Sequence, residues 1–152
     1  MEAARVAVRA DLPRLTELAR TAVEEAASRR GGAELVGSWA VAGENLVEQA
    51  MASCLTDPAR GVWVGTVDSQ VMGVSVAGGR EGQSGKLHLF FVEPGARGVG
   101  VGEAMLNEVS GWLRERGCTG MDVPVLPGDR DTKQFFEGAA MVARLLIMHR
   151  SL

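Results

Sequence analysis

A chain of 152 residues with 46% apolar and 23% charged residues has the length and composition of one globular domain with a full core, over residues 1–152. A net charge of −3 lacks the basic footprint of a nucleic-acid binder, and no apolar run approaches the ~18 residues of a membrane span. Arg5, Arg9 and Asp11 break up any apolar leader, and Cys54, Cys118, His88 and His149 form neither a disulfide framework nor a metal-ligand spacing, so a cytoplasmic protein with reduced thiols and no metal is expected.

Residues 5–9 alternate polar and apolar and read as a strand. Asp11 is the expected N-cap of a helix that carries Pro13 in its first turn and runs to about Ser28. Gly31-Gly32 is expected to end it. Residues 33–41 are ambiguous, with Leu35, Val36 and Trp39 among glycines. Residues 44–55 return to helical spacing. Residues 61–67 and 70–76 are β-rich and joined by Asp68-Ser69, which predicts a hairpin. A glycine-rich loop, 78–85, leads to a strand over 86–92.

A helix over about 103–116 stops at Gly117. A fifth strand over 121–125 contains Pro124, which cannot donate to a ladder and belongs at an edge or bulge. A short helix opens at Asp129 and ends near Gly138, and the apolar block 143–149 reads as a last strand. The order β-α-α-β-β-β-α-β-α-β combines hairpins with one βαβ crossover. It predicts an α/β (α+β) fold with a mixed, mostly antiparallel central sheet flanked by helices. A homodimer paired through the last strand is compatible with this order.

The stretch Arg97-Gly98-Val99-Gly100-Val101-Gly102 joins a strand to a helix. Its glycines let a ligand approach the backbone, and the first N–H groups of the helix have no partner inside it. Those groups and the helix dipole favour a phosphate. A P-loop is excluded because Glu103-Ala104 stands where Lys and Ser or Thr are needed, and a dinucleotide fingerprint because the glycine spacing differs.

Arg97, Gly100 and Gly102, with Val92-Glu93-Pro94 before and Ala104-Met105-Leu106 after, resemble the acetyl-CoA loop of the GNAT superfamily of N-acetyltransferases. The element order also resembles that fold. The resemblance implies an N-acetyltransferase that moves acetyl from acetyl-CoA to a primary amine of a small molecule or peptide. It puts backbone groups of Phe91 and Val92 on the pantetheine arm. It puts Gly98, Val99, Gly100, Val101 and Gly102 on the pyrophosphate, with Arg97 as a further phosphate donor.

A second signature runs from Asp129 to Met141, with Thr132 and Phe136 as the implied cofactor neighbours. Phe136 stands where many relatives carry a tyrosine that protonates the leaving thiolate, and the chain contains no tyrosine. Phe135 is read as helix core. The missing tyrosine keeps a second reading open: an acyl-CoA-binding regulatory domain with weak or absent turnover.

His88 stands nine residues before Arg97, a spacing at which a characterised member of the family carries a histidine implicated in proton removal. An imidazole titrates near neutrality and suits a base or proton relay, with Glu93 as the competing base. Strand periodicity puts His88 on the face of Phe90 and Val92. Acceptor contacts are expected from residues 31–46 and 78–85, and Trp39 and Trp63 are read mainly as core.

Overall fold

Asp68 and Ser69 both take positive φ, 47° and 71°, the two-residue turn whose twist suits a hairpin. They join β2 (Arg60–Val67) to β3 (Gln70–Gly78). The computed structural model describes residues 1–36 and 44–152, so Trp39 and part of the expected acceptor segment lie outside the described residues. β1 (Glu2–Val6) and β4 (Ser84–Val92) flank the hairpin, and β5 (Gly120–Asp122) lies beyond β4. The sheet order is β1-β2-β3-β4-β5. All neighbours pair antiparallel except β4 and β5, which the crossover makes parallel.

Helices cover both faces. Leu15, Leu18 and Ala19 of α1 (Leu12–Ala27) and Met51 of α3 (Glu44–Thr56) pack on Val62, Val64, Val74, Val76 and Phe91. On the other face, Leu106, Val109 and Leu113 of α4 (Val101–Glu115) and Phe136 of α5 (Arg130–Gly138) pack on Trp63, Ala77 and Leu87. The alternation Val62, Trp63, Val64 thus feeds two apolar layers, as a sheet buried on both faces requires. Gly65 and Gly73 let α4 approach the sheet closely. A Cβ on Gly65 would lie 2.5 Å from Val101 Cγ1, and one on Gly73 2.8 Å from Met105 Cε.

Several local expectations shift. The first strand is centred three residues earlier than read, because its partner is the end of β2: Val6 faces Trp63. Asp11 precedes α1 but turns backwards, accepting from Arg5 at 2.8 and 2.9 Å and from the Val8 N–H at 2.8 Å. Arg5 holds its carboxyl below the usual range. Gly31 takes φ 76°, yet Gly32 starts a further one-turn helix, α2 (Gly32–Leu35), rather than ending helical structure.

β5 stops before Pro124, which therefore lies outside the ladder. The last strand does not form: Val142 is 84% exposed and Met148 90%, with no ladder partner. β5 presents three residues of edge, too short a template for a seven-residue strand. Arg144 of that stretch forms an ion pair with Asp122 of β5 at 2.6 Å.

Candidate functional site

β4 is paired on both sides only at its start. Ser84, Gly85 and Lys86 face Gly120, Met121 and Asp122, and beyond them β5 ends. From His88 to Val92 the strand keeps β3 on one side and an open edge on the other. The Glu93 N–H donates to the Met72 carbonyl at 2.8 Å, which sets the phase of the ladder. Hydrogen-bonded pairs alternate, so Phe91 exchanges its bonds with Val74, and Phe90 and Val92 turn their backbone groups to the open edge.

This changes one expectation. Phe91's backbone is spent inside the sheet, and Phe90 is the outward residue that sequence reasoning missed. Alternation was legible in the chain, but the pairing phase was not. The Val92 carbonyl already accepts from Arg97 Nε at 2.8 Å, which leaves its N–H for the edge.

The open edge runs into the glycine turn. Gly98 and Gly100 take φ of 78° and 97°, and Gly100 is the N-cap of α4 without a side chain to cap it. The Ala104 N–H is the first to find a helical acceptor, the Gly100 carbonyl at 3.0 Å. The N–H groups of Val101, Gly102 and Glu103 are the unpartnered first turn of a fifteen-residue helix. Val101 and Met105, both fully buried, anchor that turn against Ala96.

Arg97 does not use its side chain here. Its guanidinium lies 3.3 Å from Glu25 of α1 and over the Phe91 ring, 5.4 Å from the centroid. Gly102 also has a packing reason to be glycine, since its Cβ would lie 3.0 Å from the Phe135 ring.

That contact reverses the roles expected of the two phenylalanines. Phe136 is the core residue, 3% exposed, and Phe135 flanks the turn. Both rings pack with Phe90, at 5.3 and 5.5 Å between centroids. The reason is helical phase: neighbouring residues leave a helix about 100° apart, so the two rings cannot point the same way. Asp129 caps α5 by accepting from the Thr132 N–H at 3.3 Å. Thr132 therefore contributes its N–H to the cap.

His88 lies at the other end of the open edge, on the opposite face from the one periodicity gave it. Val76 faces Leu89 and Ala77 faces Leu87, so the register passes over His88. This bulge breaks the two-residue alternation. The histidine joins Cys54, Asp57, Arg60, Lys86 and Pro124 around a cavity of about 290 Å³. Burial first, then Arg60 and Lys86, push its pKa down from 6.5 to about 4. Burial also pushes the Cys54 thiol up, away from a nucleophile's range. Glu93, the competing base, is held by Arg14 at 2.8 Å, and Arg14 is itself tied to Glu17 and to the Val71 carbonyl.

An open strand edge leading into a glycine turn and an uncapped helix start offers, among the described residues, outward backbone groups to an extended chain and free N–H donors to an anion. The family model of the acetyltransferase (GNAT) family matches residues 39–139, and the chain belongs to that family. Its mixed five-stranded sheet with helices on both faces is the fold of solved GNAT structures. One is AAC(6')-Iy in complex with the bisubstrate analogue CoA-S-monomethyl-acetylneamine, at 15% identity and TM-score 0.74, covering 100% of this chain and 99% of that one.

A second is the aminoglycoside 6'-N-acetyltransferase AAC(6')-IG of Acinetobacter haemolyticus, at 15% identity and TM-score 0.75, covering 98% and 97%. A third is a ribosomal-protein-alanine N-acetyltransferase of Brucella melitensis biovar Abortus 2308, at 13% and 0.70, covering the whole of both chains. At these identities the likeness is one of fold. Among curated protein sequences, none matches the chain. No described helix is long and apolar enough to cross a membrane.

Proposed function

We propose that this chain transfers the acetyl group of acetyl-CoA to a primary amine of a small molecule or peptide, by direct attack and without a metal, in the cytoplasm. The observation that carries the reading is the continuity of the open β4 edge with the unpartnered first turn of α4. A pyrophosphate suits the N–H groups from Gly98 to Gly102, where the helix dipole adds its positive end. A pantetheine arm suits the outward groups of Phe90 and Val92 as an added strand. Four residues of strand cover ~13 Å, so an extended arm that starts at Val92 ends beside His88 and its cavity.

There the acceptor nitrogen attacks the thioester carbonyl. The C–N bond forms and the C–S bond breaks, and the ammonium proton leaves through water to the neutral imidazole of His88. The thiolate takes a proton from water, because Phe136 offers none. A thiol of pKa ~8.5 is a fair leaving group without a dedicated acid.

Calorimetry with acetyl-CoA, combined with thiol release over a broad panel of amines, tests this. The expected result is stoichiometric binding and amine-dependent release. One observation favours the second reading, an acyl-CoA-binding regulatory domain: the tyrosine position holds a buried phenylalanine. Binding without release on any amine supports that reading, and absence of binding removes both.

A homodimer is part of the proposal. Leu145, Leu146, Ile147 and Met148 are 77–90% exposed in succession, an apolar stretch that a second copy would cover. Sedimentation equilibrium is expected to find the dimer, and a monomer at all accessible concentrations removes it.

A further inference from the structure

We infer that the cavity beside His88 binds an amine that also carries a carboxylate, held between Arg60 and Lys86. The inference rests on the transferase reading for the purpose of the cavity, and its test is read by binding rather than turnover.

The carrying observation is a row across three strands. Arg60 of β2 faces Gly78 of β3, and Gly78 faces Lys86 of β4. Residues directly opposite one another on neighbouring strands project to the same face. The two cations therefore project from the same face, with a glycine between them over which the His88 imidazole packs. Two strand spacings separate their backbones, ~10 Å.

Atoms of the cavity wall close over that glycine. A Cβ on Gly78 would lie 3.1 Å from His88 Nε2 and 3.4 Å from Arg60 Cδ. Any side chain at residue 78 would have to displace the imidazole. With glycine there, His88 packs over the strand, and it lines one cavity together with Arg60 and Lys86.

Two cations line that cavity against one carboxylate, and Asp122, which faces Lys86 from β5, is taken by Arg144 at 2.6 Å. Among the described residues neither Arg60 nor Lys86 forms an ion pair. The one carboxylate in the lining, Asp57, accepts from the Ala59 N–H at 2.9 Å. The α3 residues of the wall, Ala50, Ser53 and Cys54, bring no charge, and His88 is neutral at pH 7.

A guanidinium fork and an ammonium lining one cavity suit a carboxylate, which the fork takes in two parallel hydrogen bonds. The same pair disfavours a polyamine, whose second ammonium would meet two cations. The amine end of such a ligand lies toward His88, where the proton must leave. The compact acceptor is thus an ω-amino acid or an amine of similar span.

The test titrates ω-aminoalkanoates of three to six carbons, and their carboxamides, into the CoA-loaded protein with ligand-observed NMR. For at least one chain length the acid is expected to bind about tenfold tighter than its amide. Arg60→Gln and Lys86→Gln are each expected to bring the acid's affinity down to the amide's. Lys86 is exposed, so that variant keeps the test valid if Arg60→Gln fails to fold. The inference is overturned if no chain length favours the acid, or if the preference survives in folded Lys86→Gln. Acid binding without turnover on any amine would instead overturn the transferase reading and leave this one standing.

Discussion

Replacing Gly100 with valine is expected to weaken acetyl-CoA binding about ten- to a hundredfold in a domain that stays folded. Gly100 sits at φ 97° immediately before α4. A left-handed backbone costs an ordinary residue roughly 1–2 kcal/mol, and a β-branched one is rarer still there. The new Cβ would also come within 3.0 Å of Glu2 Cγ, the end of an exposed side chain that can move. A domain stable by about 5–15 kcal/mol absorbs that cost.

The turn does not absorb it unchanged. It relaxes toward negative φ and rotates the peptide groups that lead into Val101 and Gly102. The N–H donors then diverge, and each 1.4 kcal/mol of lost phosphate binding is a factor of about ten. Calorimetry on a variant whose thermal transition is intact reads the effect. Wild-type affinity in that variant would remove the phosphate assignment of this turn.

His88→Gln is expected to lower turnover about ten- to a hundredfold while acetyl-CoA affinity stays near wild type. A glutamine keeps the size and one hydrogen bond but cannot take a proton near neutrality. The size of the effect sits low in the range for a general base, because a group with a pKa of about 4 is a weak base at pH 7. For the same reason the wild-type rate should be flat with respect to His88 between pH 6 and 8. It should fall only toward its depressed pKa, not near the ordinary 6.5.

The shift also carries a stability signature. The folded pKa lies below the unfolded one, so the unfolded chain binds more protons between about 4 and 6.5. The contribution is fully present above pH 6.5 and is lost as the pH falls toward 4. The whole shift corresponds to about 3 kcal/mol, and water reaching the half-buried ring reduces this to about 1–2 kcal/mol. His88→Gln should flatten the stability profile in that window. An unchanged turnover with a surviving low-pH rate limb would make His88 a structural residue of the cavity wall, with bulk water as the base.

The hairpin, the glycine turn, the long helix α4 and the short helix α5 were legible from local spacing. Asp68-Ser69 fixes its twist locally, and Gly98 and Gly100 have the φ values that only glycine takes easily. The helix that follows leaves its first N–H groups free in any tertiary setting. These features depend on neighbours within a few residues, so spacing alone carried them.

Phe90, rather than Phe91, faces the open edge because the β3–β4 ladder has one phase and not the other. His88 changes face because one register step skips it, which nothing in the alternation of 86–92 announces. Phe135 and Phe136 exchange the roles expected of them when α5 docks. The apolar block after Ala143 had strand propensity, but propensity does not supply an edge to pair with.

The sequence by itself determined the family of the fold and the glycine turn with its uncapped helix start, since both are written in local backbone chemistry. Tertiary structure alone decided what faces what. Arg60, Gly78 and Lys86 come from three strands, and only their register brings the two cations to one cavity. Arg97, read as a phosphate donor, is instead held by Glu25, seventy-two residues away in the chain. Pairing between distant segments sets such contacts, and a side-chain pattern read along one strand holds no information about its partner's phase.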